Sequence, residues 1–370
     1  MKESKKLRVI HISRGFCDYL IELVNALSHF AEVHLILSLS DEWVENFLKP
    51  EVIVYKSKSP RVNNFYNINT LFKTYKYIKC INPDIIHIQN GVVWELLLIR
   101  LLKNIPFVIT VHDVTMHPLR KRNLLERYQQ HFLDYGIRKA KCIILHGSKM
   151  IELAKKRYSN LTSIMLYENI DHGIISRYGS SVGSEIPRNN VVLLFGNIDA
   201  NKGIEYFIKA ERYVRQVLSE VTFIIAGNAR DPFYYKRIVD EDQRIVMRLR
   251  RQSDAEVNEL FCLADVLVLP YIEASQSGVL QLGFSYGIPS IVTRVGGLPD
   301  IIEHRANGLI VEKKNALKLA EAIVELLTNV GLRKKIISNI IAQRADRFDW
   351  RNIAKKTLSA YINVLRIGKK

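Results

Sequence analysis

The chain reads as two doubly wound α/β domains in tandem. Three observations carry this: a strand–helix alternation up to residue 157, a turn-rich interruption near residue 180, and a second alternation restarting at 191. The strand runs are short and continuously apolar, as in parallel sheets covered on both faces. At 370 residues the chain exceeds one ordinary core and fits two.

The elements follow in order. Residues 7–12 form a buried strand behind a charged start. Leu20, Leu23 and Leu27 recur at helical spacing, so 17–31 is a helix, and 33–37 and 52–55 are the next strands. A helix over 68–81 stops at Asn82-Pro83, because proline cannot continue it. Strand 84–88, helix 94–102 and strand 106–111 follow. A basic loop leads into a long helix, 124–140, then strand 142–145 and helix 149–157. The segment RYGSSVGSEIPRNN, 177–190, lacks apolar periodicity and is rich in Ser, Gly and Asn. It is the expected linker between domains 1–176 and 191–349. In the second domain 191–195, 222–226, 245–247, 266–269, 290–293 and 308–311 are strands. Residues 204–218, 235–239, 255–263 and 279–286 are helices. Two more helices, 316–329 and 332–347, precede a last one over 350–365. Residues 350–370 are expected to pack back on the first domain.

The stretch YIEASQSGVLQLGFSYGIPSIVTRVGGLP, 271–299, carries the clearest chemistry. Glu273 lies in a loop, and Ser275, Gln276, Ser277 and Gly278 open a helix. Amide N–H groups in a first helical turn lack intrahelical acceptors and attract phosphate oxygens. An acid at the rim of an anion site suits a phosphate bearing a neutral, hydroxyl-rich group, as in a nucleotide-sugar.

Bulk properties narrow the class. Cys17, Cys80, Cys142 and Cys262 are scattered, without CxxC or clustering with histidine, and read as reduced core thiols. No apolar run is long enough to span a membrane, and no secretory signal is legible, so the expected location is cytoplasmic. The formal charge is +17, and 55–160 carries nineteen Lys and Arg against six Asp and Glu. Such a field suits an anionic membrane or glycan, or is simply a soluble basic surface. A nucleic-acid role has no zinc finger, RNA-binding aromatic signature or basic zipper behind it.

Ordered motifs then make the chain resemble a known family. FGNIDANKG (195–203), FIIAG (223–227), ADVLVLP (264–270), the 271–299 stretch and NGLIV (307–311) occur in sequence at the usual spacings. Together they resemble retaining nucleotide-sugar glycosyltransferases of the GT-B type, glycosyltransferase family four, over nearly the whole length. The resemblance implies two Rossmann-like domains facing a cleft, the first binding acceptor and the second the donor.

It also implies residue roles. Glu273 is expected to bind hydroxyls of the transferred sugar and to steady charge at the anomeric carbon. Eight residues on, Gln281 stands where the family has a second Glu for the ribose. An amide oxygen also accepts hydrogen bonds, without charge assistance; the bland reading is a solvent-facing helix position. Lys202, with Gly203 beside it, is expected on the donor diphosphate. Gly196 opens that motif, but Asn197 replaces a common family arginine; Arg14, Arg248 or Arg294 could substitute. Ser277, Gly278 and Val279 are expected to offer amides to the distal phosphate, and Arg250 and Arg251 lie in the base-contacting loop. In the first domain Arg14 and Gly15 follow the first strand, near the reacting phosphate. His112 is expected to touch the donor sugar or to make a structural hydrogen bond. His87 and His146 also end strands and read as structural or acceptor-side.

The implied chemistry is same-face transfer with retention, with no cofactor and no metal. The helix over 68–81, with Lys73, Lys76 and Lys79 beside Phe72 and Tyr75, is either a buried Rossmann helix or an interfacial one. The loop bearing Arg120, Lys121 and Arg122 is the expected anchor on anionic lipid beside a lipid-linked or glycan acceptor. This makes the protein peripheral to the inner membrane face, in bacterial surface polysaccharide biosynthesis. A GT-B epimerase or phosphorylase, and a nucleotide-sugar-binding partner subunit with weakened catalysis, are the competing readings.

Overall fold

The computed structural model describes residues 6–13, 15–58, 68–89, 93–114, 124–158, 165–179, 190–239 and 244–367. The chain divides into two compact units, Met1–Gly173 with Asp349–Lys370, and Ile174–Phe348. No described helix is long and apolar enough to cross a membrane.

The first unit holds seven parallel strands: β1 (Arg8–Ser13), β2 (Glu32–Ser38), β3 (Ile53–Ser57), β4 (Ile85–Gln89), β5 (Phe107–Thr110), β6 (Cys142–Leu145) and β7 (Leu166–Asn169). Their order is β3-β2-β1-β4-β5-β6-β7. Helices α1 (Cys17–Leu27), α2 (Ile68–Ile81), α3 (Val93–Leu101), α4 (Leu124–Lys139) and α5 (Ser148–Arg157) alternate with the strands. A 3₁₀ helix over Leu39–Phe47 follows β2. Strands β1, β4, β5 and β6 are buried almost throughout, which explains their mostly apolar composition, broken in β1 and β4 by the buried His11 and His87. Edge strand β7, LYEN, is only partly buried, and its mixed composition hid it from sequence reading. The last helix, Trp350–Ile367, packs on α1 in this unit, and its Tyr361 hydroxyl lies 2.6 Å from His87 Nδ1.

On α2, Ile78 is buried while Leu71 and Tyr75 pack on the core; Phe72 is exposed with Lys76 Nζ 4.6 Å from its ring centroid. That is a Rossmann helix with one aromatic left outside. None of the four cysteines is in a disulfide, but only Cys142 is buried. The expectation of core thiols therefore fails for Cys80, which is exposed at the end of α2, and for half-buried Cys17 and Cys262.

The second unit holds six parallel strands: β8 (Val191–Phe195), β9 (Thr222–Ala226), β10 (Ile245–Arg248), β11 (Val266–Leu269), β12 (Ser290–Thr293) and β13 (Gly308–Val311). Their order is β10-β9-β8-β11-β12-β13. The helices are α6 (Ile204–Val217), α7 (Pro232–Arg237), α8 (Asp254–Leu263), α9 (Gly278–Ser285), α10 (Leu298–Ile301), α11 (Ala316–Thr328) and α12 (Val330–Ala345). Helix α7 starts three residues before the predicted 235. Pro232 sits in its first turn, where a missing N–H costs nothing, and Asp231 caps it by accepting from Tyr234 N–H. At the head of the predicted linker, Arg177 pairs with Asp254 at 2.8 Å and Tyr178 O accepts from the Tyr286 hydroxyl, both within this unit.

Candidate nucleotide-sugar site

Strand order in the second unit reverses between β8 and β11. Ligands of doubly wound sheets bind beyond the carboxyl ends of the strands at such a point. The predicted donor residues leave the sheet there. After β8 come Gly196, Asn197 and a 3₁₀ turn, Ala200–Lys202, that ends in left-handed Gly203 and opens α6. After β11 come Tyr271, Glu273 and the polar run into α9.

The two segments are stitched together. Ile272 N–H donates to Asn201 O at 2.8 Å, and Asn201 Nδ2 donates to Glu273 O at 3.2 Å. A Cβ on Gly203 would lie 2.0 Å from Pro270 O, so only glycine permits this approach. Lys202 Nζ sits 3.8 Å from the centroid of the Tyr271 ring, and no described carboxylate pairs with it. Tyr271 is itself fixed: its carbonyl accepts from Thr293 Oγ1 at 2.5 Å and its hydroxyl lies 3.3 Å from Ser277 Oγ. An ammonium held on an aromatic face keeps its charge available to an anion.

Helix α9 begins at Gly278 with Ser277 as extended N-cap, no side-chain cap and no acid in its first turn. Leu280 N–H donates to Ser277 O at 3.1 Å, while the Gly278 and Val279 amides ahead of it have neither an intrahelical acceptor nor a capping side chain. Ser275 O accepts from Gly297 N–H at 2.8 Å, and Gln276 packs against Gly297, which fixes the approach to the helix.

Buried polar atoms without described partners occur on two side chains here, half-buried Glu273 and fully buried Gln281. Glu273 Oε2 meets no hydrogen-bond donor among the described residues. Gln281 is 1% exposed, and neither its Oε1 nor its Nε2 has a described partner. The solvent-facing reading of Gln281 is thus wrong: it lies on the inner side of α9. An unsatisfied buried amide costs roughly 1–3 kcal/mol, so Gln281 calls for a partner from outside the described side chains, a water or a ligand.

The predicted cations sort differently. Arg248 pairs with Glu259 and Arg294 with Glu312, each at 3.1 Å. Arg250 pairs with Glu256, which completes a capping box with Ser253 at the start of α8. Arg250 and then the Ser253 amide and hydroxyl hold the Glu256 carboxyl down at about 2. Arg251 is exposed. Gln252, not singled out from sequence, pins this loop by donating to Arg248 O and Arg250 O. Asn197 is exposed. Arg14, Arg120, Lys121 and Arg122 lie outside the described residues.

In the first unit Gly15 and Phe16 both adopt positive φ, +75° and +51°. The Phe16 ring, 46% exposed, stacks on His112 at 3.8 Å between centroids and 5° between planes. His112 is buried and also meets Tyr19 and His146 rings. Burial, then the neighbouring histidines, push its pKa well below the ordinary value, so it stays neutral. His87 is structural: it bonds Tyr361 and Thr110 hydroxyls and is fully buried. His146 donates from Nδ1 to Ile170 O at 2.6 Å.

Residues 18–161 match the model for Glycosyltransferase Family 4, and 189–329 the model for Glycosyl transferases group 1. The chain belongs to this family. It is 27% identical to an uncharacterized glycosyltransferase of Methanocaldococcus jannaschii over 347 residues, 89% of this chain and 90% of that protein. It is 29% identical to a second one from that organism over 173 residues; that match covers 46% of this chain and 44% of the relative, less than half of its length. Among solved structures, Anabaena HepE in complex with UDP-glucose superposes with a TM-score of 0.72 at 18% identity, over 95% of this chain and 100% of that one. At that identity the likeness concerns the GT-B fold alone. Neither Phe16 nor the Tyr271 platform under Lys202 was legible beforehand, since each depends on backbone conformation or ring stacking.

Proposed function

We propose that this family-four glycosyltransferase is a retaining, metal-independent enzyme that moves a sugar from a nucleotide-sugar to a saccharide acceptor. One observation carries the reading: Glu273 Oε2 and Gln281 stand buried and unpartnered beside the uncapped N-terminus of α9. The α9 amides and Lys202 hold the diphosphate, Gln281 accepts from ribose hydroxyls, and Glu273 binds the transferred sugar. The bond between the anomeric carbon and the diphosphate oxygen breaks, its electron pair going to the phosphate. The acceptor hydroxyl adds on the same face, and its proton passes to that phosphate oxygen. Fixed amides and an ammonium do the electrostatic work a metal would otherwise do. The basic excess in the first unit supports a lipid-linked acceptor at an anionic membrane surface, in the assembly of a bacterial surface polysaccharide.

A thermal-shift panel of UDP-, GDP-, ADP- and TDP-sugars, followed by nucleotide release from the best binder, tests this. Binding by none of the four defeats the donor-site reading. Binding without release, in the presence of lipid-linked saccharides, makes the chain a nucleotide-sugar-binding partner subunit, the reading that the Asn197 and Gln281 departures favour.

A further inference from the structure

We infer that Arg230 supplies the second cation for the donor diphosphate, in place of the arginine that position 197 lacks. The inference rests on the donor site proposed above. A sugar diphosphate is a dianion, and the departing nucleoside diphosphate carries still more charge. Lys202 alone leaves it under-neutralised, and Asn197 adds no charge.

Arg230 stands beside Lys202 through the sheet. A bridge between Ile198 and Ala229, with Ile198 N–H donating to Asn228 O at 2.9 Å, extends the β8–β9 pairing past the strand ends. The next residue on each strand is then Asp199 and Arg230, and Arg230 Nε lies 3.3 Å from Asp199 Oδ1. Asp199 O accepts from Lys202 N–H at 2.9 Å, so the carboxylate that Arg230 meets belongs to the turn that carries Lys202. The loop that carries Arg230 starts at Gly227, where a Cβ would lie 1.7 Å from Gly196 O; a Cβ on Gly196 would lie 3.2 Å from Val279 in the first turn of α9. Arg230 thus belongs to the same strand-end rim as the lysine and the helix amides.

Its chemistry fits. The closest contact of the guanidinium with Asp199 is through Nε at 3.3 Å, and its planar fork of donors suits a phosphate. The pair is solvent-exposed, Arg230 side chain 67% and Asp199 38%, so releasing it costs little. Of the other arginines considered for this role, Arg248 and Arg294 donate hydrogen bonds to Glu259 and Glu312 at 3.1 Å, shorter than the 3.3 Å ion pair of Arg230, and Arg14 lies outside the described residues. Asp199 acts as a perch from which a phosphate takes the guanidinium.

The test compares affinities for the tightest binder among UDP, GDP, ADP and TDP with those for its own monophosphate. Arg230→Ala is expected to weaken the diphosphate about tenfold or more, with a much smaller loss for the monophosphate, and Arg230→Lys to recover part of it. Asp199→Asn is expected to tighten diphosphate binding severalfold, because the competing carboxylate is gone. Unliganded thermal midpoints of all variants establish that each folds. An unchanged diphosphate-to-monophosphate ratio in Arg230→Ala would overturn the inference. So would Asp199→Asn weakening the diphosphate as Arg230→Ala does, the signature of a structural brace. Wild-type failure to bind any diphosphate defeats the donor site itself, and this inference with it.

Discussion

The two units share a doubly wound parallel sheet and finish their strands in opposite ways. The first gathers rings on and beyond its strands: His11 within β1, His87 within β4, and His112, His146 and His172 past strand ends cluster with Tyr19, Tyr361 and Trp350. The second leaves its strand ends as tight glycine turns, with a cation, an uncapped helix and two unpartnered polar side chains around them. Nine of the ten histidines precede residue 174; the tenth, His304, is exposed. One sheet end is lined by rings that stay neutral, with His11 Nδ1 and Gln89 Nε2 left without a described partner; the other is the end that we propose an anion completes. The same topology therefore carries either a ring-packed end or an end of glycine turns, and side chains beyond the strands decide which.

Acid should separate the units most. Burial lowers the pKa of all five clustered histidines, His11 and His172 to about 3. In the unfolded chain they titrate near about 6.5. Between those values the unfolded state binds more protons, so stability is full above the unfolded pKa and falls as pH drops toward the folded one. Each histidine withdraws up to about 1.4 kcal/mol per pH unit over that window. Urea unfolding at pH 7 and pH 5, read by histidine proton resonances and by Trp350 fluorescence, should show the first unit losing stability first. Equal losses in both units would remove the contrast.

Next in size is Gly296→Ala. Its Cβ would meet Ala274 O at 1.7 Å with φ at +56°, so the loop before α9 must shift. A cost of about 2–4 kcal/mol to the second unit is expected from clash plus strain, measured by chemical denaturation. Gln281→Glu sharpens the binding side. It puts a charge at a buried, partnerless position, so the unliganded protein should lose about 1–3 kcal/mol while nucleotide affinity rises severalfold through charge-assisted bonds to ribose. Calorimetric titration and thermal midpoints should move in opposite directions. The smallest effect is Phe16→Gly. Glycine takes the left-handed φ without the roughly 1–2 kcal/mol that a side chain pays, and it forfeits about 0.5–1.5 kcal/mol of stacking on His112. The net change in thermal stability should be within about 1 kcal/mol.

The elements with unbroken apolar runs were legible because burial on both faces imposes them, as in β6 and β11. Strand β7 and the 3₁₀ helix after β2 were not, because partly exposed elements carry mixed composition. In the proposed site, Glu273 and the start of α9 were singled out because a loop acid and a helix start leave local signatures, and Lys202 by the family resemblance. The pairing of Arg230 with Asp199 could not, since it joins residues 31 apart through strand adjacency. Nor could the burial of Gln281, because the residues around it on α9 do not say which face is covered.

The most direct test is sugar-nucleotide turnover and bare-diphosphate affinity, measured side by side for wild type and Glu273→Gln. If Glu273 reads the sugar while the amides and Lys202 hold the phosphates, the variant binds the diphosphate as wild type does and loses about a hundredfold or more in sugar release. Equal release by the two proteins, or diphosphate binding lost together with it, would contradict that division of labour.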